Sequence, residues 1–284
     1  MTAPPPTGSR AGPPVALTIA GSDSGGGAGL QADLRTFTTC GVHGCVAVTA
    51  VTVQNSLGVT GFVAIPPSTV ADQIRAVATD IGVAAAKTGM LASTAIICAV
   101  AGVCDEVGIG ASVPLVVDPV AASLHGDPLL ADDALDALRS ELLPRATLVT
   151  PNLDEVRLLV GLDVSSRADQ YTAAKELHAL GSQWVLVKGG HLRADPQERN
   201  PQCLDLLYDG SDFTAFTSPR SATPHTHGSG DTLSAAIACA LARGSTMPEA
   251  VGYGKRYIEQ AVAHAYPLGA GVGPVSPFWR LPPP

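Results

Sequence analysis

Short apolar runs and longer helix-periodic segments alternate along almost the whole chain, and this alternation restricts the fold more than any single motif does. Residues 15–20 form an apolar run that stops at a glycine cluster and reads as a buried strand. Leu30, Leu34 and Phe37, at i, i+4 and i+7, predict a helix. Residues 44–53, rich in Val and Thr, predict a second strand ending at Gln54 and Asn55, with a short edge strand at 61–65. The pattern continues as helix 69–80, strand 83–88, helix 94–107, strand 113–118, helix 130–143 and strand 147–150. Helix 151–160 has Pro151 at its first position, and helix 168–180 and strand 184–188 follow. A hairpin of 204–208 with 213–217 turns around Asp209-Gly210, and helices 229–242 and 247–264 finish the body. The expectation is an α/β fold with one doubly wound, mostly parallel sheet and helices on both faces. No linker or internal repeat divides it, so residues 15–284 read as one domain behind a disordered, proline-rich lead-in at 1–14.

Ligands of such sheets bind in the crevice outside the carboxyl ends of the strands. The polar residues of this sequence gather at those ends: Asp23, Gln54, Lys87, Asp118, Asn152 with Glu155, and Lys188. Aromatic residues are only 4% against 46% hydrophobic, so the core is built of Ala, Val, Leu and Gly. The net charge of −8, with no Lys/Arg block, argues against nucleic acid and against an anionic membrane surface. No apolar run approaches the ~20 residues that span a bilayer. Cys40, Cys45, Cys98, Cys104, Cys203 and Cys239 contain no C-x-x-C pair and read as free thiols of a reducing cytoplasm. His43, His178 and His264 have no recognisable ligand spacing.

Residues 228–231, Gly-Ser-Gly-Asp, precede a helix whose apolar stripe is Leu233, Ala236, Ile237, Ala240 and Leu241. With Gly228 at the N-cap, the N–H groups of the first turn are free and face an anion, with Asp231 beside them. An ordinary glycine-rich helix start is the competing reading. The end of the 21–29 loop and the residues after it place Gly27, Gly29 and Ala32 at dinucleotide-motif spacing, but no acid follows in 47–57, so a loop that lets substrate approach backbone fits better. The Gln54 amide, with an acceptor and two donors, complements a flat aminated heterocycle or caps a strand end. Asn152 and Glu155, at i and i+3, either hold water-coordinated Mg²⁺ or serve as ordinary N-terminal helix residues. Lys188 ends an apolar strand, where a lysine neutralises phosphate or snorkels to solvent.

Residues 20–33, Ala-Gly-Ser-Asp-Ser-Gly-Gly-Gly-Ala-Gly-Leu-Gln-Ala-Asp, closely resemble the N-terminal motif of the hydroxymethylpyrimidine and phosphomethylpyrimidine kinases of thiamine biosynthesis, members of the ribokinase-like superfamily. The resemblance continues in order through 49–55, 87–91, 117–120, 126–130, 150–155, 187–191 and 227–231, and covers nearly all of 15–277. It implies a three-layer αβα fold and a cytoplasmic homodimer. It further implies ATP- and Mg²⁺-dependent phosphorylation of 4-amino-5-hydroxymethyl-2-methylpyrimidine and then of its monophosphate. By the same resemblance Gln54, Gly21, Ala28, Asp33 and Met90 bind the pyrimidine. Asp118 and Glu155 organise Mg²⁺ through water, while Lys188, Asn152, Glu155 and Lys255 serve ATP and its phosphates. Gly228, Ser229 and Gly230 form the anion hole and Asp231 is the catalytic base.

Two departures stand out. Relatives often carry Cys where this chain has Asp231, and Cys239, about 12 Å further along the helix axis, cannot replace it. Leu124-His125 stands where many relatives have Lys-Ser. The alternative expectations are a pyridoxal kinase, a dual activity, or a non-catalytic small-molecule-binding protein on the same scaffold.

Overall fold

The computed structural model describes residues 12–121, 130, 132–190, 192 and 202–282. Most of the proline-rich lead-in and the Leu124-His125 departure lie outside the described residues.

An eight-stranded sheet forms the frame. In chain order its strands are β1 (Val15–Ala20), β2 (His43–Val48), β5 (Ala85–Thr88), β6 (Leu115–Val117), β7 (Leu148–Val149), β8 (Trp184–Val187), β9 (Gln202–Tyr208) and β10 (Phe213–Pro219). The spatial order is β10-β9-β8-β7-β6-β5-β1-β2. Neighbours from β2 to β8 pair in parallel, whereas the β8–β9 and β9–β10 pairings are antiparallel. All parallel strands therefore end on one edge, as the alternating sequence predicts.

Side-chain alternation along each strand feeds two cores. Val15, Leu17 and Ile19 of β1 pack into one core. That core is covered by α2 (Pro67–Ala76), α3 (Thr94–Val107), α4 (Asp132–Ala137), α5 (Leu153–Val160) and α6 (Arg167–His178). Ala16 of β1 faces the other, under α1 (Gly29–Thr39), α7 (Ser229–Ala242) and α8 (Met247–Ala263). The small residues Ala235, Ala236, Ala238 and Ala240 bring α7 close to the sheet, which seats its N-terminus above the strand ends.

The expected strand 44–53 is two strands. The chain breaks at the fully buried Thr49, whose N–H donates to Ala20 O (3.0 Å) and whose Oγ1 donates to Met90 O (2.6 Å). Beyond it, β3 (Ala50–Asn55) leaves the main sheet and pairs antiparallel with β4 (Gly58–Ala64) as a separate ribbon. The expected edge strand at 61–65 is the end of β4. Between Val53 and Gln54 the register shifts; such a bulge re-aims a side chain.

Candidate active site

A cleft of about 540 Å³ follows the carboxyl edge of the parallel strands. One wall is the 21–29 loop after β1, held by a single carboxylate. Asp23 accepts N–H bonds from Gly25, Gly27 and Ala28, each 2.8 Å, and lies 2.9 Å from His227 Nε2. Burial works to raise the Asp23 pKa, but His227 and the backbone donors outweigh it and hold the carboxyl below its ordinary value. The loop folds back so tightly that Gly29, at φ +54°, has no room for a Cβ against Gly21 O. Gly21, Ala28, Gln54 and Met90 line this end of the cleft, and Gln54 Nε2 comes within 3.5 Å of His227 Nε2.

At the other end stands the N-terminus of α7. Gly228 is the N-cap in the left-handed region (φ +75°), and no side chain caps the helix. Ser229, Gly230 and Asp231 face the cleft from the first turn. A Cβ on Gly230 would stand 3.3 Å from Lys188 Nζ and 3.4 Å from Asp118 Oδ2, so glycine keeps that turn pressed against the charged cluster.

The cluster is compact. Lys188, at the end of β8, donates to Asp118 Oδ1 (3.0 Å) and lies 3.8 Å from Glu155 Oε2. Burial alone would lower the lysine pKa, but Asp118 and Glu155 raise it overall. Burial, opposed by Lys188 and assisted by Asp118, pushes Glu155 up to about 7. Asn152 and Glu155 do form the ordinary helix start: Asn152 Oδ1 accepts from Glu155 N–H (2.9 Å) and Glu155 Oε2 from Asn152 N–H (2.7 Å). Both nevertheless line the cleft. Lys255 reaches the same cleft from α8, donating to Asp205 Oδ2 (2.7 Å), while Asp205 Oδ1 accepts from Gly189 N–H (2.9 Å).

Among the described residues, no three His, Cys, Asp or Glu side chains converge to hold a metal ion by themselves, at Cys40, His43 and Cys45 or elsewhere. Asp118 and Glu155 are hard oxygen donors beside the N-terminus of α7, a donor set suited to Mg²⁺, which keeps most of its waters and takes few protein ligands.

One expected site residue is misplaced. Asp33 does not line the cleft; it is fully buried beneath it, accepting from Thr18 Oγ1 (2.6 Å) and Lys87 Nζ (2.9 Å). Lys87, expected among the polar strand ends, is fully buried inside β5. Two residues were missed: Asp205 anchors Lys255, and His227 bridges the two loops. Asp205 had a signal, since it is a charge inside an otherwise apolar strand.

The sequence profile of the family described as phosphomethylpyrimidine kinase matches residues 23–276. A hydroxymethylpyrimidine/phosphomethylpyrimidine kinase of Mycobacterium tuberculosis is 60% identical over 269 residues, 95% of each chain. Its namesake in Bacillus subtilis is 42% identical, covering 93% of this chain and 94% of the relative. Among solved structures, an ADP complex of Bacillus subtilis pyridoxal kinase superposes with a TM-score of 0.84 at 37% identity, covering 94% of this chain and 98% of the other. Phosphomethylpyrimidine kinase of Clostridium difficile superposes with a TM-score of 0.75 at 36% identity, covering 87% and 99%. The α/β architecture is thus that of the ribokinase-like vitamin kinases, and the chain belongs to the phosphomethylpyrimidine kinase family.

Proposed function

We propose that this enzyme transfers the γ-phosphoryl group of ATP to the hydroxymethyl oxygen of 4-amino-5-hydroxymethyl-2-methylpyrimidine. It then phosphorylates the monophosphate to the diphosphate, supplying thiamine biosynthesis. The observation that carries this reading is one continuous cleft with an amide suited to an aminopyrimidine, Gln54, at one end and an uncapped helix N-terminus at the other. Gly21, Ala28 and Met90 complete the pyrimidine end. The first-turn N–H groups of α7 face the transferring phosphoryl group, and Lys188 draws off its charge. Asn152 and Lys255 serve the nucleotide side. Mg²⁺, held through water by Asp118 and Glu155, would offset the remaining phosphate charge.

Asp231 orients the acceptor hydroxyl and takes its proton. A carboxylate is a weak base for an alcohol, but in a loose phosphoryl transfer positioning dominates and the proton leaves late. Asp231→Asn is expected to lower kcat about 100-fold or more while leaving pyrimidine Kd nearly unchanged. Near-normal turnover would remove Asp231 from the mechanism. Product analysis with ATP, Mg²⁺ and hydroxymethylpyrimidine, resolving mono- from diphosphate, tests both steps.

A second reading is favoured by one observation: pyridoxal kinases superpose over 93–94% of this chain. Pyridoxal also presents a hydroxymethyl group on a flat heterocycle, so we propose it as a side substrate, to be tested by comparing phosphate transfer to both under identical conditions. The exposed ribbon residues Val51, Val53 and Val63 form an apolar face next to the cleft, and we propose that it pairs in a cytoplasmic homodimer.

A further inference from the structure

We infer that Lys87 is a positioning residue of the phosphoryl transfer: its buried ammonium, shared between Asp33 and Asp231, holds the Asp231 carboxylate in place at the foot of the cleft. The inference rests on Asp231 being the base, as proposed above. Lys87 occupies the interior of β5, where strand alternation sends its side chain to the face covered by α1 and α7. Its Nζ lies 2.9 Å from Asp33 Oδ1 on α1 and 3.5 Å from Asp231 Oδ1 on α7. Lysine and Asp33 side chains are both fully buried, whereas Asp231 is 15% exposed and lines the cleft.

A lysine with no access to water is costly unless its charge is paired. Asp33 alone would neutralise it, and Thr18 completes the other oxygen of Asp33. The second carboxylate is therefore the informative one. It ties the cleft-facing Asp231 to a cation that Asp33 fixes from below. Burial acts to lower the Lys87 pKa, but Asp33, Asp231 and Asp118 together raise it, which favours the charged ammonium. Tying Oδ1 to Lys87 leaves Oδ2 of Asp231 for the acceptor hydroxyl. Gly89 roofs the junction. A Cβ there would stand 3.6 Å from Nζ and 3.7 Å from Asp231 Oδ1, ordinary contact distances that keep the pair under backbone.

The test compares kcat, KM and pyrimidine Kd in two backgrounds. Because removing one partner of a buried pair strands the other, the main variant removes both charges, Lys87→Met with Asp33→Asn. It is expected to lower kcat about 100-fold with pyrimidine Kd within about threefold. Placed in the Asp231→Asn background, the same pair of changes is expected to lower kcat less than about threefold further, since the group it positions is already gone. Lys87→Gln, which keeps an N–H donor and most of the volume, gives the same pattern with a smaller loss and serves if the double variant does not fold. Undiminished kcat without Lys87, or an equal loss in both backgrounds, overturns the positioning role while leaving Asp231 as base. Normal turnover of Asp231→Asn alone overturns the base assignment, and the present inference with it.

Discussion

Asp23 accepts three backbone N–H groups and faces His227 at the same time, so the shape of the 21–29 loop depends on its staying ionised. Its native pKa is depressed below the ordinary 3.8, so its stabilisation is present above that value and lost as pH falls through the native one. Asp23→Asn is therefore expected to lower Tm at pH 7, with the deficit shrinking below pH 3.8; an equal deficit at pH 7 and in strong acid would contradict this. Gly228→Ala forces a side chain onto φ +75° and into Gly27 O. Strain of about 1–3 kcal/mol should appear in denaturant unfolding. A fall in kcat of about 100-fold should accompany it as the proposed anion hole shifts, and unchanged kcat would show that the turn does not hold the phosphoryl group. Single residues were legible in the sequence where a polar group ends an apolar strand, as with Gln54, Asp118 and Lys188. Asp33 was misread although its position gave it away. It lies three residues after Leu30 and four before Phe37, inside the apolar stripe of α1, and that spacing turns it toward the sheet rather than the ligand.

The ribbon β3–β4 was not legible as a separate element, because no glycine, proline or charged residue marks the break between β2 and β3. What ends β2 is tertiary: Ala20 O and Met90 O, both distant in sequence, capture Thr49. Thr49→Val keeps the shape and removes the bond to Met90. About 1 kcal/mol of stability should go with it. KM for the pyrimidine should rise while KM for ATP holds, since the ribbon carries Gln54; equal rises in both would show that the ribbon does not serve the pyrimidine selectively. The helices and the hairpin, by contrast, were readable from periodicity and from Asp209-Gly210, which closes β9–β10 where expected. Helix 130–143 is a shorter α4 followed by a π-helical turn at Leu138–Leu142 and a 3-10 turn at Leu143–Arg145, where Pro144 cannot continue an α-helical hydrogen-bond ladder.

Across the whole molecule, parallel pairing from β2 to β8 delivers every charged strand end to one edge, and this much followed from alternation alone. The state of association did not, because exposed apolar side chains such as Val53 and Val63 look like any other strand residues in sequence. Val53→Lys with Val63→Lys is expected to turn the proposed homodimer into a monomer in light scattering, with the fold retained by circular dichroism; an unchanged mass would place any interface elsewhere. In the two loops of the cleft, Gly27 lies so close to His227, and Gly228 to Gly27 O, that neither glycine has space for a Cβ. The 21–29 loop, proposed to hold the acceptor, and the 226–231 turn, proposed to hold the phosphoryl group, are thus two halves of one mould. Transplanting either loop alone from a relative with different acceptor preference would import a collision, so grafts of acceptor specificity onto this scaffold have to exchange residues 21–29 and 226–231 together.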